Sequence, residues 1–302
     1  MVIREESEAF RAELARRQEE AETVIRRYLP DEKGMQKTLL AAMNYSVRCG
    51  GKRIRPVLMK LAFDLFGGTG EIVEPFMAAM EMIHTASLIH DDLPALDNDD
   101  LRRGHPTSHK KFGEAMAVLA GDGLQNYAYE TAAKAFAIRS ADPDTERAYR
   151  ILARKSGIYG MLGGQSVDVD LDGQPLSEET MEFIYRYKTG ALLEGSLMIG
   201  AQLAGAGEDD VLRMEQIGRK TGLAFQIRDD MLDVEGQEEL LGKPIGSDRR
   251  NEKTTYVSCH GIKEAGQKVA GLTEEAVALL KDLPGDQTFF ADLLVWMISR
   301  QH

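Results

Sequence analysis

The chain has 302 residues, 43% of them hydrophobic, and a formal net charge of −12. That length allows one large domain or two ordinary ones, and the apolar share suffices for a substantial core. The acidic balance argues against a nucleic-acid-binding surface, and the two widely separated cysteines, Cys49 and Cys259, show no metal-type spacing.

In chain order the pattern is helical almost throughout. Ile3, Phe10, Leu14, Val24, Ile25 and Tyr28 form an intermittent stripe on a charged first helix that Pro30 ends. Nothing in MVIREESEAFRAELARRQEE resembles the apolar centre of a signal peptide. Residues 35–49, 56–66, 71–92, 110–139, 145–165, 177–203, 208–235, 261–282 and 287–300 read as further helices. CGGKRIRP, FGGTGE, SADPD, LDGQP, LGKPIG and DLPGD separate them. Alternating strand patterns are scarce, no linker divides the chain, and no apolar run reaches the 18 residues of a membrane span. The expectation is one all-α domain, residues 1–302, of about ten or more helices, in a cytoplasmic protein with reduced thiols.

Two predicted helices are apolar on more than one side, PFMAAMEMIHTASLIHDD and RMEQIGRKTGLAFQIRDDMLD, and both run into paired aspartates. Such helices belong at the centre of a bundle. In the second, Asp229 and Asp233 share a face, with Asp230 about 100° round. Like charges at that spacing repel, and a bound cation relieves them; Mg²⁺ suits a site of few carboxylates completed by water and phosphate. In the first, HDDLPALDNDDLRRG, Asp91 and Asp97 are six apart, about 240° out of phase on an ideal helix. The helix must therefore bend or end near Pro94 for both to face one point. Its acidic end also opposes the helix dipole. A solvated acidic turn explains either cluster alone, but two such clusters on apolar helices favour cation binding.

The cations complete the pattern. Lys52, Arg53 and Arg55 open one helix, Arg102 and Arg103 follow the first acidic cluster, Lys188 and Thr189 stand in KTG, and Lys243 and Lys253 follow the second cluster. Arginine forks and lysines beside Mg²⁺ sites hold diphosphates, so two polyanionic substrates are expected. His84, seven residues before Asp91, is expected to face the same cavity. DVDLDGQPLSEE, residues 168–179, fits a calcium-loop pattern. It reads better as a capped turn between helices, with Ser177 as the cap and with Gln165 and Asp168 near the site.

DDLPALD with LRRG, GGKRIRP, KTG, and FQIRDDMLD with GKPIGSD, in that order from about residue 35 onward, resemble the trans-isoprenyl diphosphate synthases. The resemblance implies a helical bundle around a deep central cavity and a homodimer. It implies Mg²⁺, three ions with substrate bound and replaceable by Mn²⁺, held chiefly by Asp91, Asp97 and Asp229, with Asp92, Asp230 and Asp233 in support. Arg102, Lys188 and Lys243 would clamp an allylic diphosphate (dimethylallyl, geranyl or farnesyl). Lys52, Arg55, His84 and Arg103 would hold isopentenyl diphosphate, Lys253 would close over the site, and Thr189 and Gln226 would steady an allylic cation. Ala86, five residues before Asp91, occupies a position where family members that stop at C15 often carry an aromatic ring. With Ser87 beside it and Met82, Ile83 and Ala79 deeper, it implies growth to C20, and Ala86→Tyr is expected to shorten the product. The implied activity is geranylgeranyl diphosphate synthesis, with farnesyl diphosphate synthesis as the alternative. A terpene cyclase and an inactive partner subunit are more remote readings.

Overall fold

The computed structural model describes residues 7–235 and 254–299. The first helix, α1 (Glu8–Tyr28), starts where Ser7 Oγ accepts the Phe10 N–H at 3.1 Å and stops at the extended Leu29. Next come α2 (Lys37–Arg48), α3 (Ile54–Leu65) and α4 (Glu74–Asp91). Pro75 stands in the first turn of α4, where a missing N–H costs nothing. Buried side chains surround α4 on nearly every side, as its sequence leads one to expect.

A two-stranded hairpin follows, β1 (Leu101–Arg102) against β2 (His105–Pro106), with Arg103 and Gly104 at φ 55° and 76° in the turn. Positive φ at both central residues suits the twist of a tight antiparallel hairpin. The remaining helices are α5 (Ser108–Phe112), α6 (Glu114–Ala133), α7 (Ala135–Ile138), α8 (Pro143–Ser156), α9 (Met161–Asp170) and α10 (Glu178–Ile184). A π-helical segment, Tyr185–Gly190, joins α10 to α11 (Ala191–Leu203). The chain continues through α12 (Glu208–Glu235), α13 (Tyr256–His260), α14 (Ile262–Lys281) and α15 (Thr288–Ser299).

Several predicted helices are divided. The span 110–139 breaks at Gly113, whose φ of 86° no helix accommodates, and 145–165 breaks between Gly157 and Gly160. Residues 168–179 form the end of α9, a turn, and the start of α10, where Ser177 Oγ accepts the Thr180 N–H at 3.1 Å. The most enclosed helix is α11, buried at all 13 positions, although its sequence attracted no special expectation. Its Gly200 explains the enclosure: a Cβ there would lie 2.1 Å from Met59 O of α3, so the backbones themselves touch. Around α4 and α11 the buried apolar side chains of α1, α3, α6, α8, α12 and α14 form one core. Among the described residues no helix is long and apolar enough to cross a membrane.

Candidate active site

The acidic end of α4 folds back on itself. The helix stops at Asp91, Leu93 N–H reaches His90 O at 3.1 Å, and Asp97 N–H reaches Asp91 O at 2.9 Å. This turn brings Asp97 back over Asp91, so the phase mismatch of an ideal helix disappears. Asp91 Oδ1 also accepts from Gln165 Nε2 of α9 at 2.8 Å. Burial, with help from the charges of Asp97 and Asp92, pushes the Asp91 carboxyl up to about 6 against the pull of Lys188 and Arg102. Asp92 is 4% exposed and accepts from Arg102 Nε at 2.6 Å. Its burial likewise raises it to about 6. Asp99 and Asp100 brace the hairpin. Arg102 reaches Asp99 Oδ2 at 3.3 Å, Thr107 Oγ1 donates to Asp99 O at 2.8 Å, and Lys110 Nζ sits 2.7 Å from Asp100 Oδ1.

The facing wall comes from α9, the π-helical segment and α12. A Cβ on Gly164 would lie 2.1 Å from Lys188 N, so only glycine lets α9 meet this segment so closely. The wider π turn presents Lys188 and Thr189 together, a use such bulges commonly have at functional sites. Lys188 Nζ donates to Asp168 Oδ2 at 2.5 Å. Burial opposes its charge, but Asp168, Asp91 and Asp97 hold the ammonium above its usual range. Thr189 Oγ1 donates to Gln226 Oε1 of α12 at 2.9 Å. Asp229 and Asp233 follow Gln226 one and two turns along α12, on the same side. Asp230 Oδ2 is engaged differently, by Tyr185 Oη at 2.6 Å and the Tyr256 N–H at 3.1 Å. Those bonds tie α12 to the π segment and to the start of α13.

Two cavities meet here. The larger, about 660 Å³, is lined near its rim by Asp91, Gln165, Lys188 and Thr189 and elsewhere by Leu88, Leu93, Met161, Leu162 and Leu192. The other, about 390 Å³, is basic, with Lys52, Arg53, Arg55 and Arg103 beside Cys49, Glu81, Phe225 and Trp296. Arg55 and His84 line both. Arg53 is neutralised by Glu81 Oε1 and Glu22 Oε2, each 2.7 Å away. The buried Nε of Arg55 has no hydrogen-bond partner among the described residues. Burial, reinforced by Arg103, pulls the Arg55 guanidinium below its usual range despite Glu81. Burial, followed by the charges of Arg55, Arg103, Arg53 and Arg102, holds His84 well below the usual imidazole range, hence neutral at pH 7. It offers one N–H donor and no charge.

The donor set suits a hard divalent cation. The carboxylates of Asp91, Asp92 and Asp97 repel one another in a partly dry setting, and a cation removes that cost. Among the described residues no three His, Cys, Asp or Glu side chains could close a cage by themselves. An ion here would complete its shell with water and phosphate, as Mg²⁺ does.

The polyprenyl synthetase family model matches residues 36–282. The chain belongs to that family. It is similar to the farnesyl diphosphate synthase of Geobacillus stearothermophilus, 43% identical over 281 residues, 93% of this chain and 94% of the relative. It is similar to the geranylgeranyl diphosphate synthase of Cyanophora paradoxa, 44% identical over 267 residues, 87% of each chain. In structure it is similar to an FPP/GFPP synthase from Zymomonas mobilis, with a TM-score of 0.85 and 32% identity over 96% of this chain and 99% of that one. This polyprenyl synthetase is a prenyltransferase.

Of the residues singled out in the sequence, Lys52, Arg53, Arg55, His84, Ser87, Asp91, Arg103, Gln165, Lys188 and Thr189 line the two cavities, and Asp92 and Arg102 line a smaller pocket that shares Arg103 and Leu88 with them. Lys243 and Lys253 lie outside the described residues. Ala86 was expected to stand in the cavity wall, and it does not. The α4 side chains in the wall are His84, Ser87, Leu88, His90 and Asp91, and Ala86 lies about 100° round from Ser87. It is 2% exposed, one turn below His90, whose Nε2 is 3.3 Å from Val118 O of α6. Met82 is also away from the wall, with its sulfur 3.8 Å from Thr131 Oγ1. Sequence spacing alone had not singled out Gln125 and Ser156, both cavity-lining. They come from α6 and α8, and no motif marks them.

Proposed function

We propose that the chain condenses isopentenyl diphosphate with an allylic diphosphate and releases geranylgeranyl diphosphate, C20. The observation that supports this reading is the pair of cavities joined at Arg55 and His84. One is basic, and the other is apolar with an acidic and cationic rim. In this reading isopentenyl diphosphate sits among Lys52, Arg55, His84 and Arg103. The allylic diphosphate sits at the rim of the larger cavity against Lys188 and Arg102, joined by Lys243, while Lys253 closes over the site. Asp91, Asp97 and Asp229, supported by Asp92 and Asp233, are proposed to hold Mg²⁺. Asp230, bonded to Tyr185 and Tyr256, is proposed to position α12 instead.

Bound Mg²⁺ would supply positive charge to the departing diphosphate. Lys188 and Arg102 add to that charge, which is worth most where water is excluded. Thr189 donates its hydroxyl hydrogen bond to Gln226 Oε1, so its oxygen lone pairs remain to face the allylic cation. The isopentenyl double bond attacks that cation, forming the new C–C bond, and the adduct loses a proton to the released diphosphate. Leucine and methionine walls keep water from quenching the cation.

No Phe, Tyr or Trp is among the described residues lining the larger cavity, which favours C20. Farnesyl diphosphate, C15, is the second reading, favoured by the similarity to a farnesyl diphosphate synthase. A basic second cavity argues against a cyclase, which binds one diphosphate. Exposed Leu119, Ile158, Tyr159 and Leu162 are the kind of apolar surface a homodimer would cover. Labelled isopentenyl diphosphate incubated with Mg²⁺ and C5, C10 or C15 primers tests the reading. C20 product from each primer is expected; accumulation of C15 with no use of the C15 primer overturns it in favour of the second.

A further inference from the structure

Helices α4 and α6 run antiparallel. His90 meets Val118 near the cavity rim, and Met82 meets Thr131 two turns lower. Going down α4 from Asp91 is therefore going up α6 from Val118, so Gln125 lies about midway down and Tyr129 one turn deeper. Gln125 and Ser156 line the larger cavity, while Tyr129 stands behind them. The three are joined: Gln125 Nε2 is 3.1 Å from Tyr129 Oη, and Tyr129 Oη is 2.7 Å from Ser156 Oγ. The directions follow from the last link. Ser156 Oγ donates to Leu152 O at 2.7 Å, so it accepts from the phenol, and the phenol oxygen accepts from Gln125. Each hydroxyl proton in this chain has one use. The Tyr129 ring is further pinned by Tyr149 of α8, edge-on with centroids 6.4 Å apart.

We propose that Tyr129, acting through Gln125 and Ser156, sets the length at which the prenyl chain stops growing. This rests on the reading that the larger cavity houses the growing chain. An apolar chain end that reaches Gln125 and Ser156 meets a bonded chain that runs from Gln125 through Tyr129 and Ser156 to the Leu152 carbonyl. To pass, it must break those bonds and leave the buried Ser156 hydroxyl and the half-buried Gln125 and Tyr129 groups against hydrocarbon, which cannot satisfy them. The stop is therefore polar and comes from α6 and α8, whereas the sequence points to small residues on α4. Tyr129 is a positioning residue in this scheme: it holds the two side chains that the chain end would touch.

Product chromatography of three variants tests this. Tyr129→Ala removes the ring and frees Gln125, and Tyr129→Phe keeps the ring but cuts both bonds to Oη. Either is expected to shift product toward chains longer by at least one five-carbon unit, with the larger shift for Tyr129→Ala. A merely structural role would lower total incorporation without lengthening the product. Should Tyr129→Ala fail to fold by circular dichroism, Tyr129→Phe decides. Ser87→Phe, placed in the cavity wall above Gln125, is expected to shorten the product. If Ser87→Phe leaves length unchanged, the cavity does not house the chain, and the reading beneath the proposal falls with it. If Ser87→Phe shortens the product but the folded Tyr129 variants keep the wild-type length, the Tyr129 floor alone is overturned.

Discussion

Arg53 and Arg55 stand two positions apart and are treated in opposite ways. Arg53 caps α3 at φ 51° and is 2% exposed, with Glu22, Glu81 and the Val47 carbonyl taking its donors. Removing one partner from such a pair strands the other charge, so Arg53→Ala is expected to cost about 3–5 kcal/mol. Among the described residues Arg55 has no ion-paired carboxylate to leave behind, so Arg55→Ala should unfold at nearly the wild-type urea concentration. Equal losses in urea melts would refute this contrast. Asp91 and Asp92 make a pH prediction. Both rise from 3.8 to about 6 on folding, so between those values the folded state binds more protons than the unfolded one. Without metal, their contribution to stability is full below pH 4 and is lost as the pH rises through 6. Mg²⁺ competes with those protons, so the rise in Tm on adding Mg²⁺ should be larger at pH 7 than at pH 5. Equal increments at both would show that these carboxylates are not the ligands.

Elements position the site through close backbone contact more than through side-chain reach. The π turn at Tyr185–Gly190 adds a residue to the helical path, and Lys188 and Thr189 both reach the cavity because of it. Its shape is fixed from outside by Gly164 on α9 and by Thr189–Gln226 on α12. Gly164→Ala drives a methyl group against the Lys188 amide. An overpacked contact of this kind costs about 1–3 kcal/mol, and the displaced Lys188 should lower kcat. Wild-type kcat in a folded Gly164→Ala variant would show that the π segment needs no such seat. A second buried cluster, Lys155 with Glu194 and Glu215, links α8, α11 and α12 behind this wall, with Glu215 2.6 Å from the ammonium.

For the molecule as a whole, the division into two cavities should appear as separable kinetics. Lys52 lines only the basic cavity and Lys188 only the larger one. A hydrogen bond to a charged group contributes about 1.5–3 kcal/mol, or roughly ten- to hundredfold in binding. Lys52→Ala should raise KM for isopentenyl diphosphate by that factor and leave KM for the allylic primer nearly unchanged. Lys188→Ala should do the reverse. Parallel changes in both constants for both variants would mean that the cavities do not sort the substrates.

Much of this was legible without coordinates. Helical periodicity and Gly and Pro punctuation are local properties, so the all-α class and most helices follow from the sequence, as do the two acidic ends and the basic GGKRIRP and LRRG loops. The sequence also determined that the first acidic cluster could not remain one ideal helix, because six residues do not complete whole turns. Other features depended on contacts between distant segments, which no local pattern encodes. Tertiary structure decided that Arg53 is buried and spent on glutamates while Arg55 faces both cavities. It decided that Asp230 turns to Tyr185 and Tyr256, because α13 packs there. It also placed Ser87, rather than Ala86, in the cavity wall, because the rotation of α4 is set by its packing against α6. Gln125, Tyr129 and Ser156 meet only because α6 and α8 are brought together by the fold, so their hydrogen-bonded chain leaves no mark in the sequence of either helix.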